Sequence, residues 1–140
     1  MPIKTPEDTG WKDYTPVWTA VTTNPALGNG TLVGRFVRIG RTVFVEIKLI
    51  PGTTTTFGAG GWRFSAPLRM TGTADLGIAH ALDAGTARYT ATAVVATATT
   101  VLLFQSDVAT GTEFASGTPF VWAATDILLI LIVYETDEER

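Results

Sequence analysis

The stretch TLVGRFVRIGRTVFVEIKLI, residues 31–50, decides the fold of this chain. It contains two runs rich in β-branched residues, Thr31–Ile39 and Thr42–Ile50, which are separated by Gly40 and Arg41. β-Branched side chains pack well on a pleated sheet, and a two-residue connection that begins with glycine is typical of a type II′ hairpin turn. The stretch therefore predicts two antiparallel strands joined by a tight turn.

The second run alternates between apolar and mostly polar side chains, so one face of its strand is expected to point into a core. The inward positions are Val43, Val45, Ile47 and Leu49. Short apolar runs between clusters of Gly, Pro, Asn and Thr predict further strands at Trp62–Ala66, Thr73–Leu82, Ala87–Ala96, Thr100–Ser106 and Asp126–Tyr134. Eight or nine strands in all favour an all-β fold, an antiparallel β-sandwich of the jelly-roll type.

The two ends of the chain differ from this middle part. Residues 1–15 are polar, and we expect them to form an extended arm in front of a sandwich domain at residues 16–135. Residues 136–140 carry mostly carboxylates. We expect them to form a solvated acidic tail that keeps an edge strand from pairing further.

Length and composition fit one folded domain and exclude several functional classes. The chain has 140 residues, 46% of them hydrophobic and 16% charged, which is too apolar for a disordered protein. With no cysteine and one histidine, it lacks the residues for disulfides, a thiolate nucleophile or a Cys- or His-rich metal site. A net charge of −3 argues against nucleic acid as a partner. We expect no catalytic residue, metal or cofactor, and therefore no enzyme.

The last predicted strand is apolar on both faces. One set of alternating side chains is Ile127, Leu129, Leu131 and Val133, and the other is Leu128, Ile130, Ile132 and Tyr134. This run is also the longest apolar stretch, far shorter than the ~20 residues of a membrane-spanning helix, so no membrane insertion is expected. A sandwich strand needs only one apolar face for its core. We expect the second face, assigned to Leu128, Ile130, Ile132 and Tyr134, to pack on another copy of the chain. The alternative is that a loop such as Thr53–Gly61, or the arm, covers it.

Aromatic side chains are the candidates for binding a sugar, because flat aromatic faces offer large rigid contacts. Trp62 follows a glycine-rich loop that contains Phe57, and Trp11 lies in the arm. These three residues form the predicted glycan site. Trp18 and Trp122 lie beside apolar segments and are expected to pack in the core or at an interface.

The polar candidates are better explained by structure than by chemistry. Asp107 and Glu113 flank one loop and are the best available carboxylate pair for a glycosidase, but their spacing does not bring them together. We expect Asp126 to accept hydrogen bonds in a turn. His80 lies in a strand-like alternation and is expected to be packed and hydrogen-bonded rather than a ligand.

Glycines and arginines mark the turns of the chain. The run Gly28-Asn29-Gly30 lacks the lysine and the following helix of a phosphate-binding loop, and predicts a tight turn with a positive φ. Arg35, Arg38 and Arg41 surround the hairpin. They either pair with carboxylates of another protein or are solvated.

Two stretches resemble a known family. Residues 11–43 combine two tryptophans with the motifs NP, GNG, GR and GRTV, and look like the start of a bacteriophage virion surface domain. That domain occurs in tail-fibre and minor tail proteins of phages that infect actinobacteria. Residues 119–135, which begin PFVWAATD and continue into an apolar strand, resemble the close of the same domain. The resemblance implies a homotrimeric β-sandwich on the virion surface, with other virion proteins and a host glycan as partners.

Four functional hypotheses follow. The leading one is a non-enzymatic virion protein, made in the host cytoplasm, that mediates attachment to a host-surface glycan. The family's domain usually ends a long protein; if this chain is instead complete, a capsid decoration or head-spike protein anchored by residues 1–15 becomes the alternative. A tail-associated glycan hydrolase would need a carboxylate pair in a groove. A free-standing carbohydrate-binding module would be monomeric and would lose its ligand with Trp62→Ala.

Overall fold

A computed structural model of the chain describes residues 10–71, 76–105 and 112–139. These residues form an antiparallel all-β structure with no helix. Its strands are β1 (Lys12–Tyr14), β2 (Trp18–Ala20), β3 (Thr31–Ile39), β4 (Thr42–Ile50), β5 (Trp62–Ser65), β6 (Leu76–Asp83), β7 (Ala87–Thr97), β8 (Thr100–Gln105) and β9 (Ile127–Glu135). The predicted all-β, sandwich-like fold is confirmed. None of the described residues forms a helix long and apolar enough to cross a membrane.

The hairpin of residues 31–50 is confirmed in its bounds and its register. β3 pairs with β4 from Thr31 opposite Ile50 to Ile39 opposite Thr42. Gly40 has a φ of 61°, as the first position of a type II′ turn requires. A side chain there would meet no atom within 4 Å. The backbone conformation, and not a lack of space, is therefore what favours glycine.

The strands form one sheet in the order β1-β3-β4-β9-β6-β7-β8-β5-β2, curled into a half-barrel. Its two edge strands, β1 and β2, follow each other in the chain and only residues 15–17 separate them. The end of β1 and the start of β2 are four residue steps apart, at most ~14 Å, so the two edges have to approach each other. The curl of the sheet is thus imposed by the chain connection between its edges.

The predicted arm is wrong for the part that the structure describes. Residues 12–14 are strand β1, paired with β3. The ring of Tyr14 and the ring of Pro16 pack on Gly34, where an added Cβ would lie 2.6 Å from each of them. Residues 1–9 lie outside the described residues. β1 and β2 were not predicted because three residues are too few to show an alternation.

The register of β9 shows which of its two apolar faces lines the core. Val45 of β4 lies opposite Ile132, and Ile47 lies opposite Ile130. Residues directly opposite each other share a face of the sheet. The side chains of Leu128, Ile130, Ile132 and Tyr134 are each at most 3% exposed. Their predicted role as an oligomer interface is therefore wrong: they form the core of their own chain, and the odd-numbered side chains face outward.

Aromatic rings fill the part of the core beside β2 and β5. The ring of Trp18 stacks on Phe64 with their centroids 6.3 Å apart, and meets Trp62 edge-on at 5.0 Å. Trp122 lies 5.1 Å from Trp62. Trp18 and Trp122 are both buried, so their predicted packing role is confirmed.

The described part of the acidic tail is exposed at residues 137–139, as predicted for a solvated tail, but Thr136 is buried and hydrogen bonds tie the tail to the domain. Thr136 is buried, and its backbone N–H donates to the carbonyl of Arg41 at 2.9 Å. Glu138 accepts two hydrogen bonds, one on its carboxylate from the backbone N–H of Arg69 and one on its carbonyl from the Arg38 guanidinium. Residue 140 lies outside the described residues.

Asp126 and Gly28 confirm the predicted turn roles. The carboxylate of Asp126 is buried and accepts hydrogen bonds from the backbone N–H groups of Ala84, at 2.9 Å, and Ala123, at 2.7 Å. The first of these ties the β6–β7 turn to the start of β9. Gly28 has a φ of 57°.

Candidate functional site

The outer face of the sheet carries two rows of side chains that follow from the strand register. The first row is Val33, Lys48, Leu129, His80 and Thr90. The second row is Arg35, Glu46, Leu131, Ile78 and Thr92. Because opposite residues share a face, both rows face away from the core.

Four aliphatic side chains in these rows are exposed, and we call them the outer apolar band. Val33 is 57% exposed, Ile78 63%, Leu129 45% and Leu131 40%. They come from three strands, with the two leucines of β9 between the other two residues. Leu129, Leu131 and Ile78 are neighbours on β9 and β6, and Val33 is separated from Leu129 by Lys48. Clustered exposed apolar side chains often mark an interaction site.

An open groove of about 850 Å³ runs over the outer apolar band. Leu129 and Leu131 contribute to its lining, with Asp13 on the β1 side and His80 and Thr90 on the β6–β7 side. A concave surface that is largely apolar, with a few polar groups around it, is the usual form of a binding site. The groove is therefore the candidate functional site.

Charges of both signs lie on the β1–β3–β4 side of the groove. Arg35 and Glu46 form an ion pair with Nη2 and Oε1 2.8 Å apart. Lys48 and Asp13 also line the groove. Neither side chain has an ion-pair or hydrogen-bond partner among the described residues. A partner could therefore neutralise one cation and one anion here.

His80 lies on the outer face in the row next to Ile78, as its strand alternation predicts. Its Nε2 atom is 3.4 Å from a guanidinium nitrogen of Arg88 on β7. The imidazole is half-buried, in agreement with the prediction of a packed, hydrogen-bonded side chain.

Trp11 lies on the same outer face, beside the groove. The guanidinium of Arg35 lies over its ring, 4.7 Å from the ring centroid, and makes a cation–π contact. The side chain is 42% exposed. Of the three predicted glycan residues, it is the one that a sugar could reach.

The other two predicted glycan residues do not form a surface site with Trp11. Trp62 is completely buried and its indole N–H donates to the carbonyl of Phe57 at 3.0 Å. The ring of Phe57 is half-buried between Trp62 and Trp18. The prediction that Trp62 stacks on a sugar is wrong, because the glycine-rich loop folds its aromatic residues into the core.

The structure gives no support to the glycosidase pair. Glu113 is held in an ion pair with Arg63, and Asp107 lies outside the described residues. Among the residues that the structure describes, no group of three His, Asp or Glu side chains could hold a metal ion.

The arginines around the hairpin are partly engaged by their own chain. Arg35 pairs with Glu46. Arg38 donates from Nε to the carbonyl of Gly40 at 2.8 Å and from Nη2 to Glu138. The side chain of Arg41 is exposed.

No family model, curated protein or solved structure matches this chain.

Sequence reasoning missed part of this site for an identifiable reason. The two leucines of the band belong to a face of β9 that the sequence marks as apolar, and the alternation of β4 places Lys48 outside. No single strand contains the register that sets Ile78 directly beside Leu131 and places Val33 two strands from Leu129, with Lys48 between them. Pairing between strands distant in sequence decides that neighbourhood.

Proposed function

We propose that this chain is a non-enzymatic structural protein of a phage virion surface and that it self-associates through the outer apolar band. The observation that carries the proposal is the exposure of four aliphatic side chains on the outer face, three of them on the adjoining strands β9 and β6 and the fourth, Val33, beyond Lys48 of β4. An antiparallel sheet in a monomer normally presents polar side chains on its solvated face. A second copy that covers the band would remove the apolar surface from water.

Burial of the outer apolar band supplies part of the free energy of association. A fully buried aliphatic side chain contributes about 1.5–3 kcal/mol, and these four are already about half-buried. Covering them therefore contributes roughly 3–6 kcal/mol in total. The loss of translational and rotational freedom opposes association, so the polar contacts around the band have to add to this term.

The virion setting rests on the resemblance. Its two stretches, residues 11–43 and 119–135, contain β1, β3, the start of β4 and β9, which are neighbours in the sheet, and also β2 at the opposite edge. The same strands supply three residues of the outer apolar band. The resemblance implies a trimer and places the domain on the outside of a tail or a capsid.

Light scattering on the purified chain tests self-association. One copy has a mass of 14.9 kDa, and we expect an integral multiple of it at about 100 μM, where an interface of micromolar affinity is saturated. Leu129→Lys is expected to yield single copies, because it puts a charge in the middle of the band. Val121→Lys changes an exposed side chain in a loop outside the band and is the matched control. A wild-type chain that stays single would overturn the proposal.

Mass spectrometry of gradient-purified virions of the phage that encodes the chain tests the location. We expect the chain among the virion proteins in many copies per particle. Its absence from intact particles would refute a structural role, whatever the oligomeric state in solution.

Attachment to a host glycan is a second candidate, favoured by one observation: Trp11 exposes an aromatic ring beside the groove. Binding of the purified chain to host cell envelopes is the test. We expect Trp11→Ala to abolish binding and Lys12→Ala, in the adjacent exposed position, to preserve it. Equal binding by both variants would remove Trp11 from the site.

A further inference from the structure

We infer that two copies of the chain pack outer face to outer face about a two-fold axis that crosses β9 between Leu129 and Leu131, perpendicular to the strands. The inference rests on the proposed self-association and adds the identity and register of the contact. The groove is occupied by a second copy of the chain.

The position of the axis follows from the outer apolar band. Its two rows, one through Leu129 and one through Leu131, are adjacent, and β9 contributes to both. An axis through the centre of the band keeps the apolar side chains of both copies together. Such an axis can run either along the strands or across them.

Charge complementarity decides between the two directions. An axis along the strands keeps each row in place and sets Lys48 of one copy against His80 of the other, and Glu46 against Ile78. An axis across the strands exchanges the rows, so that Leu129 meets Leu131 and Lys48 meets Glu46 of the other copy. Both arrangements pair leucine with leucine, but only the second gives Lys48 the anionic partner that it lacks within the described part of its own chain. Like or unmatched charges across an interface oppose association.

A three-fold axis parallel to the strands, with the outer faces around it, also keeps the rows in place. The β4 side of one copy would then meet the β6 side of the next, again with Lys48 near His80. A three-fold axis across the strands would exchange the rows, but three faces around an axis meet mainly along their margins, whereas two faces lie flat against each other. We therefore infer two copies instead of the three that the resemblance implies.

The outer face around the groove is large enough for a specific contact. The groove lies over β3, β4, β9, β6 and β7 and takes three residues from each, which is about 24 Å across the strands and about 10 Å along them. The groove alone therefore offers about 240 Å² per copy. The nine residues of β9 extend about 30 Å, which sets an upper limit of about 700 Å² per copy and about 1,400 Å² for the pair, against about 1,200–2,000 Å² in specific interfaces. The contact therefore has to continue beyond the groove along the strands.

Charge exchange on the full chain tests this register. We expect Lys48→Glu to weaken association at least ~10-fold, because it places two carboxylates together at each of two symmetry-related positions. Adding Glu46→Lys to Lys48→Glu restores opposite charges across the axis and is expected to restore association. Lys12→Glu makes the same change of charge on the same chain outside the two rows and is the control. Both rows are at the surface, and circular dichroism checks that each variant is folded.

Mixing gives a second readout that a general loss of solubility would not imitate. The wild type and the Glu46→Lys, Lys48→Glu variant would each associate with themselves, but a mixed pair would bring like charges together at both positions. Native mass spectrometry is therefore expected to show mixed pairs well below the half expected for random exchange.

Each other outcome overturns a defined part of the inference. A mass of three copies would refute the two-fold axis and leave self-association standing. A single copy would refute both. A dimer that mixes at random, or that the second substitution does not restore, would refute the register.

Discussion

The phenolic oxygen of Tyr14 lies 2.9 Å from the carbonyl oxygen of Ser65 and donates a hydrogen bond to it. Tyr14 belongs to β1 at one edge of the sheet, and Ser65 to β5 beside the other edge. The backbone of Val17 holds the same serine, since its N–H donates to Ser65 Oγ and its carbonyl accepts from the Ser65 N–H. The edges of the half-barrel are thus joined by a short link and by individual hydrogen bonds, without a ladder between the edge strands β1 and β2 in the described part of the chain.

Removal of the Tyr14 hydroxyl should loosen this closure. We expect Tyr14→Phe to lower the free energy of unfolding by about 1 kcal/mol, the usual contribution of one such hydrogen bond. Urea unfolding measures the change. Tyr89→Phe is the matched control, because the Tyr89 hydroxyl has no hydrogen bond within the described residues. Equal effects of the two variants would show that the Tyr14–Ser65 bond does not stabilise the fold.

Gly34 permits the close approach of β1 and the 15–17 link. We expect Gly34→Ala to destabilise the chain by about 1–3 kcal/mol, because the added methyl group would overlap the rings of Tyr14 and Pro16. Gly117→Ala is the control, since a Cβ there would meet nothing within 4 Å. Thermal unfolding of both variants is the measurement, and an unchanged midpoint for Gly34→Ala would contradict the packing described here.

Asp126 connects the β6–β7 turn with the start of β9. We expect Asp126→Ala to destabilise the chain by about 1–3 kcal/mol, because it leaves two backbone N–H groups, those of Ala84 and Ala123, without their acceptor. Asp126→Asn keeps one amide oxygen as an acceptor and should cost less. Chemical unfolding compares the two, and a larger loss for the asparagine variant would argue against this role.

Two buried tyrosines predict that stability falls at alkaline pH. Burial is the main cause that raises the pKa of Tyr134 from 10.0 to about 12; Glu138 adds to the rise and a hydrogen bond to the Leu68 backbone opposes it. Burial, with a smaller effect of Tyr134, also raises the pKa of Tyr14 well above its ordinary range. The unfolded chain therefore loses these protons at a lower pH than the folded one. This contribution is complete below pH 10 and is lost as the pH rises towards 12.

Urea unfolding at a series of pH values from 8 to about 11.5 measures this loss. The wild type should become less stable above pH 10, and the variant with both Tyr14→Phe and Tyr134→Phe should show a smaller slope. Identical slopes would mean that other groups cause the alkaline loss.

β4 and β9 differ in whether the sequence of one strand predicts which of its faces lines the core. In β4 the polar Glu46 and Lys48 identify the outer face, so the inward valines could be predicted from one strand. In β9 both faces are apolar, and nothing within the strand distinguishes Leu131 from Ile132. The register with β4 makes the choice, because Ile132 lies opposite Val45 and Leu131 opposite Glu46.

The aromatic residues show the same limit. Trp62 and Trp11 both lie next to glycines in the sequence. Trp62 is enclosed by the loop that precedes it and by the indoles of Trp18 and Trp122. Trp11 stays at the surface, just before the edge strand β1. Contacts between segments far apart in the chain decide which ring a ligand can reach.

The sequence by itself determined the β class, the central hairpin with its turn, and the turn roles of Gly28 and Asp126. These features depend on alternation, β-branching and local backbone chemistry, all of which act over a few residues. Only the tertiary structure decided which face of β9 lines the core, how residues 12–20 bring the sheet edges together, and that the acidic tail is bound. Those depend on pairing between distant strands, and the energies that select one pairing are not contained in any single segment.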